Sequence, residues 1–69
     1  MQIFDLEGRE FVELDSLLKL TGLCPSGGSA KQRIAEGSVT VDGQVELRKR
    51  CKIRAGQLVV FAGQQIRVG

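Results

Sequence analysis

A chain of 69 residues has room for one small domain, so a cofactor fold with a separate substrate domain is excluded. Hydrophobic residues make up 42% and charged residues 26%, the balance of a chain that folds. Histidine, tryptophan and tyrosine are absent, which removes histidine acid–base chemistry, Ser/His/Asp triads and histidine metal sites.

The chain opens with a short strand, Gln2 to Phe4, and a turn at Glu7-Gly8-Arg9. Leu14, Leu17 and Leu18 follow i, i+3, i+4 spacing and predict a helix over about 13–21, stopped at Gly22. Ser26 is a good N-cap for a second helix, with Gly27-Gly28-Ser29 in its first turn, Ala30 and Ile34 on one face, and Gly37 at its end. From there the period is two: Val39 and Val41 alternate with polar residues, and Asp42-Gly43 predicts a tight hairpin turn. Val45 and Leu47 continue on the return strand, Ala55-Gly56-Gln57 turns, Leu58 to Phe61 is an apolar strand, and Ala62-Gly63-Gln64 turns into a last strand carrying Ile66 and Val68. The expectation is one α+β domain over 1–69: two short N-terminal helices followed by a small, mainly antiparallel β-sheet. Phe4, Phe11 and Phe61 are assigned to the core.

No stretch reaches the roughly 20 apolar residues of a membrane span, and the N-terminus lacks the pattern of a signal peptide. Cys24 and Cys51 lie far apart with no CxxC and no partner histidine, so zinc lacks ligands. Two free, partly buried cysteines in a reducing cytoplasm is the expectation; a disulfide or a functional thiol is the alternative.

Charge is unevenly placed. Residues 1–20 carry five acids against Arg9 and Lys19, net −3, whereas residues 31–54 carry seven bases against three acids, net +4. If 45–54 stays extended, Arg48, Arg50, Lys52 and Arg54 share one face, and Val45, Leu47, Cys51 and Ile53 the other. The cations would span roughly 20 Å at about 3.3 Å per residue. Lys49 breaks the apolar parity, so a turn or bulge near 48–50 that gathers Arg48, Lys49 and Arg50 on one loop is the alternative. Such a face repels itself, and a polyanion relieves the repulsion through counterion release. The other reading is a solvated strand edge that discourages aggregation.

The stretch Ser26-Gly27-Gly28-Ser29-Ala30-Lys31 is the second feature. A helix start offers free amides and the positive end of the helix dipole, and two glycines allow close approach of an anion, with Lys31 one turn further on. The P-loop spacing is absent. An ordinary cap with tight helix packing is the competing explanation, and Arg33 is expected to pair with Glu36.

These residues resemble a family. Gly22-Leu23-Cys24-Pro25-Ser26, Ala30-Lys31-Gln32-Arg33-Ile34 and Glu36-Gly37-Ser38-Val39-Thr40-Val41-Asp42-Gly43 are similar, without gaps, to the pattern of the S-four RNA-binding domain, also called the alpha-L RNA-binding motif. Ile53-Arg54-Ala55-Gly56-Gln57-Leu58-Val59 resumes it, so the likeness covers about 12–61. The S-G-G-x-A-K stretch and the basic run after the hairpin are most similar to the short, free-standing bacterial members of the YbcJ-like kind. Gly27 stands where many members have an arginine, and Gln57 where they have an aspartate.

The resemblance implies an RNA-binding face on which Ser26, Gly27, Gly28 and Lys31 meet Arg48, Lys49, Arg50, Lys52 and Arg54. The expected function is a non-enzymatic RNA-binding module, acting as a cytoplasmic monomer on structured or ribosomal RNA, mainly through phosphates. No cofactor, metal, membrane or small-molecule substrate is expected. The alternatives are a protein–protein adaptor and a β-grasp sulfur carrier, the latter disfavoured by a single terminal glycine and a different order of elements.

Overall fold

The computed structural model describes Met1–Gly69. In chain order the elements are β1 (Gln2–Phe4), β2 (Val12–Glu13), α1 (Leu14–Leu20), α2 (Gly27–Ala35), β3 (Val39–Val41), β4 (Gln44–Val45), β5 (Lys52–Ile53), β6 (Leu58–Phe61) and β7 (Gln64–Val68). Five strands form one sheet in the order β1-β7-β6-β3-β4, and β2 and β5 form a separate two-stranded ribbon. Every pairing is antiparallel except β1 with β7, which run parallel. The α+β class holds, but the helices are not strictly N-terminal. Two short strands precede them, and the first finds its partner in the last strand, with Gln2 opposite Ile66.

Side-chain periodicity builds the interior. Leu14, Leu17 and Leu18 of α1 and Ala30 and Ile34 of α2 turn inward. They meet Val39 and Val41 of β3, Val59 of β6, and Ile66 and Val68 of β7 in one cluster of 14 buried apolar residues. Cys24 is buried in it, Cys51 lies at its margin, and both are free thiols. Phe4 and Phe61 pack against this cluster as expected; Phe11 does not belong to it.

The turn at Asp42-Gly43 has positive φ at both centres, 51° and 84°, which matches the right-handed twist of the flanking strands. The aspartate adds to the turn by accepting the Leu58 amide at 2.9 Å. Ala62-Gly63 repeats this geometry at 53° and 77°, although alanine has no side-chain acceptor to offset the left-handed strain.

The return strand is shorter than its sequence suggests. Glu46 keeps one ladder bond, from its amide to the Val39 carbonyl at 3.0 Å. Its carboxylate then captures the Arg48 amide at 2.9 Å, which takes the chain out of the ladder. A turn at 49–50 follows, closed by the Cys51 amide on the Arg48 carbonyl. The extended run over 45–54 is therefore replaced by a loop, and Val45 and Leu47 stay mostly exposed rather than lining an inner face. No helix of the protein is long and apolar enough to cross a membrane.

Candidate nucleic-acid interface

The basic loop is held by the start of α1. The N-cap residue, Glu13, gives no side-chain bond to the helix. Two carbonyls of the loop take its place: the Leu14 amide donates to Cys51 O at 2.9 Å and the Asp15 amide to Lys49 O at 3.1 Å. Asp15 is only 5% exposed. One of its carboxylate oxygens accepts the Ser16 amide at 2.8 Å, and the other lies 3.6 Å from Lys31 Nζ on α2. Asp15 thus joins the basic loop, through its backbone, to the second helix, through its side chain.

Within the loop, Arg48 forms a fork on Glu46, with Nε at 3.0 Å from one carboxylate oxygen and an Nη at 3.0 Å from the other. The Arg48 guanidinium and backbone amide together hold the Glu46 carboxyl well below the usual range, at about 2, and the same fork raises the arginine's pKa. The Cys51 thiol sits 3.5 Å from both partners. Partial burial and then the Glu46 carboxylate raise its pKa, so the thiol resists ionisation. Arg50 lies 3.9 Å from Glu13, an exposed and weak pair. Arg33 and Glu36 pair at 3.1 Å.

Lys49, Lys52 and Arg54 are exposed and have no carboxylate partner. Lys52 Nζ stands 5.0 Å from the centroid of the Phe11 ring, and the Arg54 guanidinium carbon 5.7 Å from it. Phe11 therefore leaves the core assignment given to it by residue type and becomes a platform under two cations.

At α2, Ser26 is extended and its hydroxyl accepts the Ser29 amide at 3.1 Å. A Cβ built at Gly27 would meet nothing within 4 Å, and one at Gly28 only Ser26 Oγ at 3.9 Å. Tight packing against the protein therefore does not explain these glycines. The Gly27 and Gly28 amides point out of the first turn without a partner in the protein.

The structure thus places these cations in separate groups, Lys31 on Asp15, Arg48 on Glu46, Arg50 on Glu13, and Lys52 and Arg54 on Phe11, while Lys49 has no side-chain partner; the backbone of 48–54 and its bonds to the start of α1 join them. Ser26, Gly27 and Gly28 make no hydrogen bond to residues 46–54 and join these groups only along their own helix, one turn before Lys31. Sequence reasoning missed the organisers. Asp15 and Glu13 entered only as part of the acidic charge of residues 1–20, and Phe11 was assigned to the core. Gln57, at the position of the family's aspartate, accepts the Arg54 amide at 2.7 Å and so completes that turn.

The family model "S4 domain" matches residues 4–69. The chain is 57% identical over 68 residues to the YbcJ protein of Escherichia coli (strain K12), covering 99% of this chain and 97% of that one. It is 39% identical over 54 residues to the tyrosine–tRNA ligase of Ralstonia nicotianae, covering 78% of this chain and 14% of the ligase. The solution structure of E. coli YbcJ, described as revealing an alfaL motif involved in RNA-binding, superposes with a TM-score of 0.75 at 57% identity, covering 99% of this chain and 86% of that one. With the family match spanning almost the whole chain and the fold shared with that structure, the chain belongs to the S4 domain family.

Proposed function

We infer that this chain is a non-enzymatic RNA-binding module that grips structured RNA, ribosomal RNA included, mainly by its phosphates. The observation that carries the reading is a basic segment, 48–54, clipped by its backbone to the start of α1, where Asp15 also holds Lys31 of a helix whose first amides are open. Excess positive charge beside free amides suits a phosphate backbone. The RNA-binding described for YbcJ supports the same assignment. All 69 residues act as one monomeric domain, with the binding motif over about 12–61. Two free thiols suit a reducing compartment such as the cytoplasm.

Phosphate contacts set affinity and register and read little sequence. Titration of a labelled RNA stem-loop across salt concentrations tests the reading. About five phosphate contacts give a slope of log K against log salt of about −3.5 to −4.5. A flat salt response would end it.

A further inference from the structure

We propose that Phe11 is a positioning residue of the RNA surface, and that the outer face of the β2–β5 ribbon, with Lys52 and Arg54 set on the Phe11 ring, is its main phosphate seat. The proposal rests on the RNA-binding reading above and adds to it the location of the strongest contacts and the group that organises them.

The ribbon's register makes the arrangement. Val12 stands opposite Ile53, and both are buried. Side chains alternate, so the neighbours Phe11, Glu13, Lys52 and Arg54 emerge on the other face. One step beyond the Val12–Ile53 pair, Phe11 faces Arg54 across the ribbon, with Lys52 diagonal to it. Phe11 is half-buried, both cations are exposed, and the two stand 5.0 and 5.7 Å from its centroid.

Of the other candidate cations, Lys49 is held by neither carboxylate nor ring, and the remaining three are held differently. Lys31, Arg48 and Arg50 are each placed by a carboxylate, which orients a cation and cancels its charge at the same time. A phosphate arriving there must share the cation with Asp15, Glu46 or Glu13. An aromatic ring orients a cation through its quadrupole and carries no net charge. Glu13 stands opposite Lys52 on this face but pairs with Arg50, so Lys52 and Arg54, with no carboxylate in ion-pair contact, meet a phosphate less neutralised and with part of their side-chain freedom already removed. Pre-ordering with less neutralisation makes this pair the better phosphate ligand, although the Arg48 fork has the shorter contacts.

Affinity for a labelled RNA stem-loop, measured across salt, separates the cases. Phe11→Leu keeps apolar bulk and removes the ring; the expected result is about a three- to tenfold weaker complex at unchanged thermal midpoint. Phe11→Tyr restores the affinity. In a Lys52→Gln/Arg54→Gln background, Phe11→Leu has no further effect, because the ring acts only through those two cations. An equal loss in both backgrounds, or no loss in the native background, overturns the proposal. Should Phe11→Leu fail to fold, the exposed positions still decide. Lys52→Gln/Arg54→Gln must cost more affinity and more salt slope than Lys31→Gln/Arg48→Gln, and the reverse order overturns the proposal. Salt-dependent binding with that reverse order leaves the RNA reading standing; a flat salt response removes both.

Discussion

The two helices begin in opposite ways. The first turn of α1 is closed by the Cys51 and Lys49 carbonyls and the Asp15 carboxylate, and its N-cap residue Glu13 adds no side-chain bond. The first turn of α2 is capped by Ser26 alone, with two glycine amides left open and no side chain above them. One helix start spends its amides inside the molecule, where they clip the basic loop in place. The other keeps them for the outside. The same backbone chemistry is used for architecture at one end and left open at the other, and the flanking residues decide which.

The sharpest way to break this contrast is to remove the floor under α1. Leu17 is fully buried, and Leu17→Ala should cost about 2–5 kcal/mol. For a chain this size the total stability is on the order of 3–10 kcal/mol, so urea unfolding should show a large loss or no folded state at all. An unchanged midpoint would mean that the clipped helix does not anchor the fold.

Charge reversal comes next. Arg48, Arg50 and Lys52 changed together to Glu should weaken RNA binding by about 100-fold or more while circular dichroism stays native, since all three are exposed. A folded variant that binds RNA as before would separate the loop from the function.

The α2 end predicts effects of opposite sign. Gly28→Ala should raise stability by up to about 1 kcal/mol, because the methyl finds open space and the helix gains propensity. RNA affinity should fall, because the methyl stands where a phosphate approaches. A gain in both would assign these glycines to something other than close approach.

The smallest effect concerns acid. Glu46 is depressed from 4.5 to about 2 in the fold, so its contribution is present above about 4.5 and is lost as pH falls towards 2. Thermal melts across that window should lose less in Glu46→Gln than in the native chain. Parallel curves would show that the Arg48 fork adds nothing to stability, as many exposed ion pairs do.

Local signals were legible where neighbours in sequence settle the geometry. Ser26 as cap, Gly37 as stop and Asp42-Gly43 as turn each depend on residues within a few positions, and the structure has all three. Side chains that act on distant or unexpected backbone were not. Alternation favoured an extended 45–54, and only Lys49, by breaking the parity, pointed to the turn the structure has at 49–50; alternation is blind to the Glu46 carboxylate that takes the Arg48 amide out of the ladder. Asp15 gave no local signal beyond its charge, because its setting depends on a loop 34 residues further along, through Lys49. Phe11 needed the Val12–Ile53 register before its cations could be placed. The set of cations was visible in composition; the groups that orient them are non-local and were not.

The parallel pairing of β1 with β7 has a temporal consequence. The Leu6 amide donates to the Gly69 carbonyl at 2.7 Å, and the Gly69 amide to the Phe4 carbonyl at 2.9 Å. Hairpins and the helix pair can assemble from nearby chain, but this seam requires the largest loop closure in the molecule before it returns any contact. On a ribosome that releases the chain from its amino end, β1 emerges well before β7 and must wait for this partner.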